Sequence, residues 1–184
     1  MDAHLRNTIL NSTGASHLKP PETIQSLWSG YGSIDRYTLM GSEHPSVIVK
    51  HVRLPLKNKH PRGWNTDRSH QRKLRSYQVE TAWYQHWAAR CGNDCRVPHC
   101  LALEQRDNEF LMVMEDLDSS GYPLRKDHTS HHEIIACLTW LANFHATFMT
   151  EAPEGLWPTG TYWHLETRPD ELATMESGAL KQAA

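Results

Sequence analysis

The chain has 184 residues, enough for one domain with a real hydrophobic core. Apolar residues make up 39% and seven Trp add large buried area, while 19 basic and 21 acidic residues leave a formal charge of −2; this balance supplies no field for nucleic acid or an anionic membrane. No apolar run approaches the roughly 18 to 20 residues a membrane span needs, and MDAHLRNTILNSTGASH lacks the basic-then-apolar layout of a secretion signal, so a cytoplasmic location is expected.

Residues 3 to 12 suit a short helix. ETIQSLW (22–28) and SIDRYTLMG (33–41) alternate apolar and polar residues around Gly30 and Gly32, which is a hairpin pattern. PSVIVKHV (45–52) is a third strand, rich in β-branched residues. Residues 54–73 are basic and punctuated by Pro and Gly, a loop running into a helix. KLRSYQVETAWYQHWAARCG (73–92) carries good helix formers and stops at Gly92 after Arg90. CLALEQRD and EFLMVMEDL are two further strands joined at the turn-prone pair Asp107-Asn108. A loop or broken helix over 118–129 leads into SHHEIIACLTWLANFHATFMT (130–150), an amphipathic helix whose Ser130 and Glu133 form a capping box. Ile134, Leu138, Leu141, His145 and Phe148 share one of its faces. PDELATMESGALKQAA, at the end, reads as helical. Five strands and one helix make an α+β fold: a five-stranded antiparallel sheet covered on one face, with a boundary near residue 118. Residues 1–117 form the first unit, its sheet and helix over 22–117, and 118–184 the second.

Lys50 closes VIVK on the strand face of Ile48, opposite Val47 and Val49. There it is either an edge residue reaching water or a buried cation that needs a partner. Glu80 lies in the helical stripe Tyr77, Glu80, Tyr84, Trp87. Such a carboxylate either faces solvent or is met by a cation. Pairing Glu80 with Lys50 would hold the ammonium for the phosphates of a nucleotide. The turn Ser29, Gly30, Tyr31, Gly32, Ser33, one strand earlier, would then lie over the same phosphates and offer backbone N–H groups; alone, it is an ordinary glycine hairpin. VMEDL (113–117) ends the last strand. As an extended segment between two lobes it would offer Glu115 C=O and Leu117 N–H to an adenine edge, with Met114 lining the pocket behind; the plain alternative is a strand end before a turn. Cys91, Cys95, His99 and Cys100 allow a zinc reading, although paired C-x2-C spacing is missing and reduced structural thiols are the commoner case.

In their order along the chain, SGYGSIDRY, VIVKHV, YQVETAWYQ, FLMVMEDLDSSGYP and LTWLANFHATF resemble the N-terminal half of the aminoglycoside phosphotransferase and choline kinase superfamily, in its ecdysteroid-kinase-like branch. The resemblance covers roughly residues 22 to 165 and rests on the order of the motifs, each being individually common. It implies a protein-kinase-like fold, an N-lobe followed by the first helices of a truncated helical C-lobe. It also implies transfer of the γ-phosphoryl group of ATP to a hydroxyl of a small-molecule acceptor. Carried over by position, Lys50 matches the phosphate-binding lysine, Glu80 its helix partner, and Glu115 to Leu117 the hinge. His145 in FHA matches a structural position.

The chain departs from that pattern in its second half. The family's chemistry uses H-G-D, an Asn five residues beyond the Asp, and a later Asp that holds magnesium. The nearest triplet, HLE at 164–166, has Leu165 and Glu166 in place of Gly and Asp, and Glu171 stands where Asn is required. No catalytic residue is therefore assigned, and ligands for Mg2+ are expected beyond residue 184. The expectation is an ATP-binding half of a kinase, inactive alone and prone to self-associate through the 130–150 helix. A non-catalytic nucleotide-binding or interaction module of the same fold is the alternative.

Overall fold

The computed structural model describes residues 2–54, 67–106, 108–160 and 164. The expected helix at the end of the chain, Leu165 and Glu166 of HLE, and Asp107 of the expected turn lie outside them.

Among the described residues six strands form one antiparallel sheet: β1 (His17–Leu18), β2 (Glu22–Ser26), β3 (Gly32–Met40), β4 (Ser46–Arg53), β5 (Cys100–Arg106) and β6 (Glu109–Glu115). The order across it is β3, β4, β6, β5, and both β1 and β2 pair with the free edge of β3. Pro20 and Pro21 separate these two pieces. Proline has no N–H to give a ladder, so the edge strand breaks in two there. The sheet is thus five strands wide, as the alternation indicates, and the two-residue β1 is the piece the sequence did not reveal. β6 sits between two partners, and six of its seven residues are buried. That agrees with its nearly continuous apolar run.

Both faces of the sheet are covered, where one was expected. On one face Tyr37, Leu39, Val47, Val49, Leu111 and Val113 pack with Leu5 and Ile9 of α1 (Ala3–Thr13). Leu5 and Ile9 are four apart and so point the same way from the helix. Asp2 caps its first turn by accepting from the His4 N–H at 3.0 Å, and Gly14, at φ 65°, ends it in the left-handed conformation. On the other face Tyr31, Val52, Leu54 and Phe110 pack with Tyr77 of α2 (Asp67–Ala82).

α2 begins earlier than its apolar pattern suggested, at Asp67, and continues into a π-helical turn, Trp83–Trp87, and a 3-10 turn, Ala88–Arg90. The wider π turn shifts everything after Ala82 around the axis. Tyr77, Glu80 and Tyr84 remain on the sheet side, whereas Trp87 turns to Phe148, with ring centroids 5.9 Å apart.

α3 (His131–Phe148) starts with the expected capping box: the Glu133 N–H donates to Ser130 Oγ at 3.4 Å and the Ser130 N–H to Glu133 Oε2 at 2.7 Å. Its packed face shares only Phe148 with the expected stripe Ile134, Leu138, Leu141, His145 and Phe148. Phe144 and Phe148 meet Trp83 at 5.6 and 5.4 Å, and Trp140 stacks on Phe144 at 5.2 Å. Ile134, Leu138 and Leu141 are exposed. The helix is apolar nearly all round, so periodicity marks two candidate faces, and the aromatic face is the one that meets the Trp pair.

Candidate functional site

A cleft of about 780 Å³ opens where the sheet face bearing Lys50 meets α2 and the chain leaving β6. Strand register builds its roof. Ile34 pairs with Lys50 and Arg36 with Ile48 across β3 and β4; Ile48 pairs with Met114 and Lys50 with Met112 across β4 and β6. Side chains directly across a ladder share a face. Ile34, Arg36, Ile48, Lys50 and Met114 therefore line the cleft, while Val47 and Val49 point into the α1 core.

Lys50 and Glu80, 30 residues apart, meet in this cleft: Nζ lies 2.7 Å from Oε1 and 2.5 Å from Oε2. The ammonium also stands over the Tyr77 ring, 5.3 Å from its centroid. Both side chains are mostly shielded, 18% exposed for Lys50 and 32% for Glu80. An ammonium has three donors. Both oxygens of one carboxylate take up this group, which fixes where the ammonium sits in the cleft. Tyr84 lines the same wall, and its hydroxyl pKa is raised by burial and then by the nearby charge of Glu80.

The glycine turn is not part of this lining. Trp28–Gly30 form a 3-10 turn in which the Gly30 N–H donates to Leu27 C=O and the Tyr31 N–H to Trp28 C=O, each at 3.2 Å. These two amides are engaged within the turn rather than held out for an anion. The Tyr31 side chain is 3% exposed and packs edge-on against Trp28 and His70. It is a core residue. Gly32 has a packing duty: at φ 143°, a Cβ there would lie 1.9 Å from the backbone oxygen of His51 on β4. Ser33 Oγ donates to Asp35 at 2.6 Å. Ser29, Gly30, Tyr31, Gly32 and Ser33 thus stay with the hairpin, and Lys50, Glu80, Met114, Glu115 and Leu117 come together in the cleft.

Glu115 and Leu117 reach the cleft in a segment anchored by side chains. The Glu115 carboxylate pairs with Arg96 and accepts from the His99 N–H at 3.1 Å. Burial pushes its pKa up, but these bonds outweigh that and hold it below the usual range. The backbone N–H of Glu115 donates to His99 C=O at 2.8 Å, and Leu117 C=O accepts from the Tyr122 N–H at 2.8 Å.

The feature missed in the sequence is Arg36. Its Nε donates to Asp116 at 2.7 Å and its Nη2 to Asp118 at 2.6 Å, with Glu22 at 3.4 Å. Ser46 Oγ also donates to Asp116 at 2.7 Å. The Asp116 side chain is 3% exposed. Burial opposes its charge, and the Arg36 and Ser46 bonds nevertheless keep its pKa below the ordinary value. The hydrogen bond to Asp116 likewise raises that of Arg36. Alternation alone put Arg36 on the face of Ile34, and the acids of EDLD were in view; that the two meet depends on the path of the chain after β6.

The cysteines lie outside the cleft lining. Burial pushes the Cys91 and Cys100 thiols up to about 11, so both stay protonated. The His99 side chain is 72% exposed. Among the described residues no group of three or more His, Cys, Asp or Glu is placed to hold a metal, and no helix is long and apolar enough to cross a membrane.

The family model of the ecdysteroid kinase-like family matches residues 42–154, more than half of the chain. The match begins after β3, so the glycine hairpin falls outside it. No curated protein matches the chain.

Proposed function

The chain belongs to the ecdysteroid kinase-like family and has its kinase-like phosphotransferase fold, and from that premise we propose that it grips ATP for transfer of the γ-phosphoryl group to a hydroxyl of a small-molecule acceptor. The observation that carries this reading is the Lys50 ammonium fixed by both oxygens of Glu80 inside the cleft. A cation held that way meets phosphate oxygens without having to be ordered first. Ile34, Ile48 and Met114 give the flat apolar roof that a purine requires, and Glu115 and Leu117 bring backbone polar groups to its edge. The cleft thus has an apolar end and a cationic end, as a base joined to phosphates demands.

Magnesium would bridge the phosphates of ATP in such a reaction. The described residues do not fit that role: no group of three or more His, Cys, Asp or Glu among them is placed to hold a metal, and Asp116 and Asp118 at the cleft are taken up by Arg36. The sequence contains no H-G-D triplet. The residues in hand therefore support binding and orientation of the nucleotide; turnover requires a group to orient the acceptor hydroxyl.

The test is calorimetric titration of the chain with ATP, with and without magnesium. Saturable binding is expected, and Lys50→Ala should weaken it about 10- to 100-fold, the worth of a hydrogen bond to a charged group. Equal affinity in the variant would remove Lys50 from the phosphate site. Binding without turnover would favour a non-catalytic nucleotide-binding module.

A further inference from the structure

We propose that the segment after α3, residues 151–157, is a strap that presses α2 inward from behind and so sets the position of Glu80 against Lys50. This rests on the functional reading for its meaning, but its geometry stands apart from any nucleotide.

The segment crosses the outer side of α2 and its π turn. Arg75 Nη2 donates to Gly155 C=O at 3.3 Å and to Leu156 C=O at 3.2 Å, and its guanidinium lies 5.7 Å from the Trp157 ring centroid. Trp87 Nε1 donates to Glu154 C=O at 3.1 Å. Arg90 donates to Glu151 at 2.8 Å. Gly155, at φ 76°, approaches so closely that a Cβ on it would lie 3.1 Å from the Ala82 Cβ. Three side chains, Arg75, Trp87 and Arg90, thus hold the strap at Glu151 and along residues 154–157, and a groove of about 620 Å³ beside Trp87 and Arg90 marks its path.

Direction makes the contact informative. Helical residues are set about 100° apart around the axis. Arg75 and Ala82 are seven apart and share a face, whereas each is about 140° to 160° from Glu80. α2 is therefore clasped from two opposite sides, by Lys50 on the sheet and by the strap behind. The strap follows α3 directly, and α3 meets the same π turn through Phe144 and Phe148 on Trp83. A shift of α3 would carry the strap with it and change how Glu80 meets the ammonium. Arg75 and Trp87 are positioning residues in this scheme: they touch neither the cleft nor its contents.

The experiment is a double-mutant cycle on Lys50 and Glu80 (Lys50→Met, Glu80→Gln and the pair), read by urea unfolding of the full chain. It is run in the wild type and in Arg75→Ala, Arg75→Lys and Trp87→Phe backgrounds. The Trp87 variant keeps a ring on Phe148 and loses only the donor, so it reports even if Arg75→Ala fails to fold. A strap that positions Glu80 predicts that the Lys50–Glu80 coupling falls by about half or more in Arg75→Ala and Trp87→Phe, and that Arg75→Lys restores part of it. The Arg53–Glu109 coupling, on the far face, should stay unchanged. Loss of overall stability with an unchanged Lys50–Glu80 coupling overturns the proposal and leaves the strap as packing only. A second arm measures ATP affinity, expected to fall about two- to tenfold in Trp87→Phe. If the wild type binds no ATP, the functional reading fails, while the cycle still decides the strap.

Discussion

At the scale of single residues, two cations of the cleft do different work. Lys50 is bound by one carboxylate inside the cleft, whereas Arg36 is engaged by three, Asp116, Asp118 and Glu22. Arg36 is therefore a clamp between β3 and the chain leaving β6. Asp116 is almost wholly buried, so removing its partner leaves a carboxylate in a place water does not reach. Arg36→Met is expected to cost about 2 to 4 kcal/mol in chemical denaturation. Adding Asp116→Asn should recover part of that loss, since the two changes act on one pair. Strictly additive costs would show that Ser46 and water, rather than Arg36, satisfy Asp116. Lys50→Met should cost much less, because the carboxylate it leaves behind, Glu80, is 32% exposed and can be hydrated, unlike Asp116.

At the scale of elements, α1 is held to the sheet by apolar packing and by two carboxylates on its flank. Glu104 accepts from Thr8 Oγ1 at 2.7 Å and meets His4 at 2.7 Å, with Arg106 at 3.3 Å. Glu109 meets His51 at 2.5 Å and accepts from Arg53 Nε at 2.9 Å; Arg53 reaches on to Asp2, the cap of α1. The pKa of each carboxyl is lowered, that of Glu104 chiefly by the Thr8 bond and that of Glu109 chiefly by the His51 bond. With a folded pKa below the unfolded one, the unfolded state binds more protons in between, so stability rises with pH there. The contribution is complete above the unfolded value, about 4.3 for Glu, and is lost as pH falls through the lowered values. Amide exchange in α1 should therefore accelerate relative to β6 as pH is taken below about 4. A constant ratio of α1 to β6 protection through that window would show that packing by Leu5 and Ile9 alone secures the helix. The same scale explains why the apolar stripe in α3 was right only at Phe148: Ile134, Leu138 and Leu141 lead up to it at helical spacing as well as Trp140 and Phe144 do. Only the position of the Trp pair on the π turn selects between them.

At the scale of the whole molecule, the sheet is a two-sided core and α3 is not. No residue of α3 is fully buried, and Ile134, Ile135, Leu138 and Leu141 are 40% to 54% exposed. With Leu124 at 75% and Met149 at 66% they make the apolar surface of this half far larger than scattered single residues would. The chain is expected to self-associate with rising concentration in sedimentation velocity, and Leu138→Glu should lower the association without lowering the unfolding midpoint. A monodisperse wild-type monomer over the accessible concentration range would refute this. Cooperativity should divide the same way. The sheet with α1 and α2 forms the stable unit, and α3 with its strap opens at lower free energy.

Much of the molecule was readable in the residues themselves. Strand alternation around VIVK and FLMVME, the Ser130–Glu133 cap, and Lys50 on the face of Ile48 all follow from backbone periodicity and local hydrogen bonding, which neighbours along the chain determine. The fold class and the family were legible for that reason. Other features depend on where distant segments meet. The glycine turn read equally as an anion loop or an ordinary hairpin; its Gly30 and Tyr31 amides close on Leu27 and Trp28, and Tyr31 turns into the core. Arg36 carried no assigned role in the strand pattern and is a clamp. Arg75 and Trp87 gave no sign of holding carbonyls some 70 to 80 residues away. A sequence states which groups can pair at short range; burial and long-range partners come from the competition among all segments for the same surfaces, and only the folded chain resolves that.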